Sequence, residues 1–271
     1  MSQGIALMDP ETVAANARAA VQVVAPGRLD DAPLRLAYLT ALRDAQGSGL
    51  EIESAGPVFQ LDLAAPVSVA TIRGIGGKDV TAVEIGDTGR ERLRAHLDAG
   101  FALLEEHDPD RAAVARLLVA TLVVLRRPGL FSASAISALG AVAVNPAPEW
   151  EAIDFAETLL HESVHQAVFL DEMVNTLYGV DPKRLAADDA LVLSAVRRTA
   201  RPYDAALHAA CVAVEVLWLH AGRDDAERAA QWSTGLTDSV AQLTERRHLL
   251  SAHGNEVLDD LERAVDAAPV A

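Results

Sequence analysis

Two histidines and a glutamate supply the most informative chemistry in the chain: Glu157-Thr158-Leu159-Leu160-His161-Glu162-Ser163-Val164-His165. The apolar pattern from Trp150 past Leu170 predicts one continuous helix, which puts His161 and His165 one turn apart on the same face. Two imidazoles at that spacing can reach one metal ion, with Glu162 beside them, within reach of a water on the metal. The plain alternative is a pair of core histidines that only pack or satisfy hydrogen bonds.

A metal site needs a third protein ligand. The metzincin extension would require Gly at 168 and His at 171, where this chain has Val168 and Asp171. Downstream, His208 and Glu215 lie seven residues apart on a predicted helix and face the same way, so either is a candidate third ligand. Just before them, Val196-Arg197-Arg198-Thr199-Ala200-Arg201-Pro202 carries Arg197 and Arg201, whose planar guanidinium forks suit a carboxylate co-substrate.

The elements that must position these groups follow from periodicity and punctuation. Asp9-Pro10 starts a first helix that runs to about Val24, and a second spans about Pro33 to Ala45 before Gly47-Ser48-Gly49. Alternating pieces between Ile52 and Ile85 predict a few short strands. Two helices are expected at about Thr88–Glu106 and Pro109–Arg126, paired antiparallel, and the segment 130–145 reads as a hairpin or bent strand. The glycine-rich Arg73–Asp79 lacks phosphate-loop spacing and reads as a turn. The sum is a mainly α fold with a few short strands (α+β). A single domain is expected over residues 1–271, with a scaffold to about 127 and the metal-site half at about 128–261.

Composition narrows the function classes. With 271 residues and 51% hydrophobic content, the chain can build a sizeable core without disulfides. A net charge of −16 argues against a general grip on nucleic acid or anionic lipid. The longest apolar run, Ala112–Leu125, is too short for a membrane span and reads as a buried helix. Met1–Pro10 lacks the basic start and apolar stretch of a signal peptide. Cys211 stands alone in an apolar run, which fits a reducing cytoplasm. His96, His107, His220, His248 and His253 sit singly at or near helix ends, where solvent-facing or capping roles are expected.

From Gly129 to Leu261 the chain resembles the HExxH-type iron and 2-oxoglutarate-dependent peptide hydroxylases of pathways for ribosomally made, modified peptides. The resemblance rests on the small-residue segment ending in Asn145-Pro146, the run Thr158–His165, the segment Arg197–His208 with Arg201-Pro202, and a late pattern from Leu243-Thr244 through Gly254 to Leu258. It implies a non-cupin helical metalloenzyme fold, Fe(II) held by His161, His165 and His208, 2-oxoglutarate as co-substrate with O2, and β-hydroxylation of a precursor peptide. Arg201 and Arg197 match arginines of the family pattern, whereas Val196 stands where the pattern has an aromatic. Glu162 would then lie beside the metal ligands, or serve as one of them, rather than act as a base. The competing class is a zinc metallopeptidase using His161, Glu162 and His165, because the same histidines accept zinc.

Overall fold

The computed structural model describes residues 4–54 and 56–268. Helix accounts for 62% of the described residues and strand for 9%, so the fold is mainly α with small sheets. In chain order, α1 (Pro10–Val24), α2 (Arg28–Asp31) and α3 (Leu34–Gln46) lead to β1 (Val58–Gln60). Then come α4 (Pro66–Gly74), β2 (Thr81–Ala82), α5 (Asp87–His107), α6 (Pro109–Leu118), β3 (Thr121–Arg126), β4 (Ser132–Ser134), β5 (Ala141–Val144) and α7 (Ala152–Val174). The remainder holds α8 (Pro182–Leu185), β6 (Val192–Leu193), β7 (Ala200–Arg201), α9 (Tyr203–Ala221), α10 (Ala226–Ser233), α11 (Leu236–Glu245) and α12 (Ala252–Asp266). The chain forms two compact units, Val13–Leu170 and Met1–Thr12 with Asp171–Ala271, whose boundaries fall inside α1 and α7.

The unit Val13–Leu170 is built on an open sheet in the order β1-β3-β5-β4, with β2 pairing the far end of β3. Strands β1, β3 and β5 run parallel, and β4 returns antiparallel to β5 at the edge. No barrel closes among the described residues. Leu122, Val123, Val124 and Leu125 of β3 and all of β5 are buried, the continuous apolar signature of parallel strands covered on both faces. An edge-on aromatic cluster seats the start of α7: Phe155 meets Trp150 at 5.2 Å and Phe59 at 6.4 Å, and His96 stacks on Phe155 at 6.2 Å.

Sequence expectations hold where local signals are strong. Asp9 Oδ1 accepts from the backbone of Glu11 and Thr12 at 2.9 and 3.0 Å, capping α1, and Gly47 closes α3 in the left-handed conformation. Segment 130–145 is the β4–β5 pair, and the turn after α4 uses Gly76 and Gly77 at positive φ. Two expectations are corrected. The helix expected to reach Arg126 stops at Leu118, and the rest of that apolar run is the buried strand β3, because β-branched Val119, Thr121, Val123 and Val124 favour an extended chain between covered faces. In the stretch expected to hold a few short strands, β1 and β2 fall within the two alternating pieces, but Pro66 opens a helix between them, with the Thr71 hydroxyl bonded back to the Val67 carbonyl at 2.8 Å.

The other unit gathers on α9, where every residue from Ala206 to Leu217 is buried. This helix is long and apolar enough to cross a membrane, yet 78% of its apolar window is buried in the fold, as in a core helix. Cys211 lies within it as a free, buried thiol. Two of the isolated histidines depart from the expected solvent-facing or capping roles: His220 is fully buried at the end of α9, and His253 pairs with Asp171. Both sit where apolar neighbours or a buried carboxylate outweigh exposure at a helix end.

Candidate metal centre

Helix α7 carries the HExxH residues on two adjacent faces, and each face has its own work. His161, His165 and Phe169 recur every four residues. The imidazoles approach with ring centroids 5.1 Å apart at 62°, and Phe169 stacks under His165 at 6.4 Å. One turn apart and both only partly exposed, they present their ring nitrogens from one side of the helix. Burial pushes the His165 imidazole down to about 4, so at neutral pH it keeps the uncharged form that a metal ligand needs.

The neighbouring face, Glu162 and Gln166, is fastened to the sheet. Alternation along β4 turns Ser132 and Ser134 to the same side, and their hydroxyls donate to the Glu162 carboxylate at 2.5 and 2.7 Å, one to each oxygen. Gln166 continues the fastening: its Oε1 accepts from Gly140 N at 3.0 Å, and its Nε2 donates to Ser134 Oγ at 3.2 Å and to the Ala141 carbonyl at 3.3 Å. Glu162 is 1% exposed, and its Oε1 lies 3.8 Å from His161 Nε2. Burial raises its carboxyl from 4.5 to about 7, against the lowering pull of the two serine hydroxyls. Sequence reasoning missed Ser132, Ser134 and Gln166; serines two apart in a strand segment were the only local signal.

The remaining candidates lie in the unit that contains α9. His208 is buried within α9. Glu215, also buried, accepts from Ile5 N at 2.7 Å, so its carboxylate helps hold the N-terminal segment within that unit. Arg197 and Arg201 sit on the β6–β7 hairpin, where Val192 pairs with Arg201 and Arg197 N donates to Ser194 Oγ at 3.2 Å; both side chains are exposed. Asn145 acts as a fastener, its side-chain amide donating to the Arg127 and Leu130 carbonyls while its oxygen accepts from Arg126.

As a test of fit, the two imidazoles suit a borderline divalent metal in residue type, spacing and protonation state. Among the described residues, no three His, Cys, Asp or Glu side chains form a group that could hold a metal ion. Helix α7 runs unbroken through Val168 to Val174, whereas a metzincin site breaks the helix at that glycine. Asp171 therefore lies about 15 Å along the axis from His161. It is held instead by His253 Nε2 at 2.8 Å and Asn175 Nδ2 at 2.9 Å. Compared with known proteins, the chain matches no family model and no curated sequence.

Proposed function

We propose that the protein is an Fe(II)- and 2-oxoglutarate-dependent oxygenase that hydroxylates the β carbon of a side chain in a ribosomally made precursor peptide, in a reducing cytoplasm. The observation that carries this choice is the state of Glu162. Both carboxylate oxygens are engaged by hydroxyl donors from the sheet edge and the group is out of solvent, which suits a residue that positions the histidine helix better than one that activates water. His161 and His165 would hold the metal from one face of α7. Iron(II), when bound, supplies the capacity to couple O2 and the keto acid to oxidation of a C–H bond.

The chain's own residues do the rest. Glu162 and Gln166, clamped to β4 and β5, fix the rotation of α7 and so the direction of both imidazoles. Arg197 and Arg201, exposed and without an ion pair among the described residues, offer guanidinium forks to the distal carboxylate of 2-oxoglutarate. The lone buried thiol agrees with the proposed compartment.

A zinc peptidase is the second reading, and one observation favours it: a Glu162 carboxyl raised to about 7 falls where a general base works well near neutral pH. Aerobic incubation with Fe(II), 2-oxoglutarate and candidate precursor peptides separates the two. Addition of one oxygen atom to a peptide with matching succinate release is expected. Cleavage of peptides by the zinc-loaded protein, without 2-oxoglutarate consumption, would replace the first reading by the second.

A further inference from the structure

Strand β4 ends the sheet, so one of its long sides has no neighbouring strand among the described residues. The register shows which groups face that open side. The Phe131 carbonyl accepts from Asn145 N at 2.9 Å, and Ala133 pairs with Ala143, so residues 131 and 133 turn their backbone groups inward to β5. Ser132 and Ser134 alternate with them and point their N–H and C=O groups outward. Their side chains reach the face where α7 lies and hold Glu162, whose Oε1 is 3.8 Å from His161 Nε2. The same two residues thus carry an open backbone edge and the contact to the histidine helix, all within the unit Val13–Leu170.

Sheet edges are ordinarily blunted by a charge, a proline or a covering segment, because an open edge pairs with any extended chain. This edge is not blunted. The run from Leu130 to Ala138 contains no charged residue and no proline, all three residues of β4 are partly exposed, and Phe131 and Ile136 flank the strand at 45% and 48% exposed. Two outward donors and two outward acceptors in strand geometry are complementary to another extended main chain. The length of the edge decides what that chain belongs to. Three residues span only about 10 Å. A stable pair of proteins buries roughly 1,200–2,000 Å², so the strip is too short to hold a second copy and suits a peptide that binds and leaves.

We infer that the outer edge of β4 binds the substrate peptide as an added strand, through the main-chain groups of Ser132 and Ser134. This rests on the reading above that the substrate is a peptide. An added strand lies about 4.8 Å from its neighbour and turns alternate side chains to opposite faces. Every second residue of the bound peptide therefore points to the face on which Ser132 and Ser134 meet α7. The edge selects an extended backbone rather than a particular side chain, and it presents alternate residues on the α7 side.

The test uses the full-length, metal-free protein without 2-oxoglutarate, so its outcome is separate from that of the oxygenase reading. Short peptides are selected from a random displayed library on the wild type, synthesised with a fluorophore and titrated by anisotropy. Ser134→Pro removes an outward N–H and leaves the bonds to β5 in place, whereas Ser134→Ala loses the same hydroxyl and keeps the N–H. The proline variant is expected to bind about tenfold or more weakly than the alanine variant. On the wild type, N-methylation of the peptide at alternate residues should weaken binding about tenfold, with far less effect at the residues between them. This second arm needs no protein variant, so it decides the matter if the proline variant does not fold. Failure to select a binder, equal affinities of the proline and alanine variants, or indifference to N-methylation would overturn the site. A wild-type dimer in sedimentation velocity that Ser134→Pro converts to monomer would overturn it in favour of a second copy at the edge.

Discussion

Replacing Glu162 by Gln isolates the electrostatic cost of holding a carboxylate between α7 and β4. Gln keeps the shape, and because serine hydroxyls accept as well as donate, Ser132 and Ser134 can still bond both ends of the amide. The folded protein holds the Glu162 proton up to about pH 7, whereas an unfolded glutamate releases it near 4.5. Raised in the folded state, this group contributes stability that is fully present below pH 4.5 and lost as pH climbs through 7. The interval corresponds to about 3 kcal/mol. His165 runs the other way: its folded value of about 4 lies below the ordinary 6.5, so it contributes stability that grows as pH rises from 4 to 6.5. In the metal-free wild type the two slopes oppose each other and the stability profile is nearly flat over pH 4.5–6.5. Glu162→Gln removes the falling slope and exposes the rising one. Urea unfolding of chelator-treated protein from pH 4.5 to 8 should show the variant gaining about 3 kcal/mol on the wild type across that range. Parallel profiles for the two proteins would refute the assignment of a buried, neutral-pH-titrating carboxyl to Glu162.

Gly140 donates its N–H to Gln166, lies at φ +85°, and a Cβ there would meet Leu50 Cδ1 at 2.9 Å. Gly140→Ala should therefore cost about 1–3 kcal/mol, read as a Tm lower by roughly 2–4 °C per kcal/mol. Leu122→Ala, in the buried middle of the sheet, should lower stability by about 2–5 kcal/mol in denaturant titration. Arg201→Ala should raise the 2-oxoglutarate concentration for half-maximal turnover about 10- to 100-fold, with peptide affinity changed far less, in initial-rate measurements.

The helix carrying the histidines was legible in the sequence because it combines a long 3.6-residue pattern with a sharp start after Pro148. The cap at Asp9 was legible because it depends on neighbouring residues alone. Strand β3 was not, since a parallel strand covered on both faces is a continuous apolar run, and Ala112–Leu125 offers no alternation to separate its helix from its strand. Helix α4 was hidden by its β-branched residues, which mimic a strand until Pro66 is given weight as a helix start. In the candidate centre, the i,i+4 pair His161 and His165 could be read directly. The clamp on Glu162 could not, because Ser132 and Ser134 lie about 30 residues away and meet it only through the pairing of β4 with β5.

The most direct test of the functional proposal is optical. The metal-free protein is loaded anaerobically with Fe(II), 2-oxoglutarate is added, and the visible spectrum is recorded for the wild type, His161→Ala and His165→Ala. A weak charge-transfer band of chelated keto acid in the wild type, absent from both variants, is the expected result. No band in the wild type, or a band that survives in either variant, would contradict it.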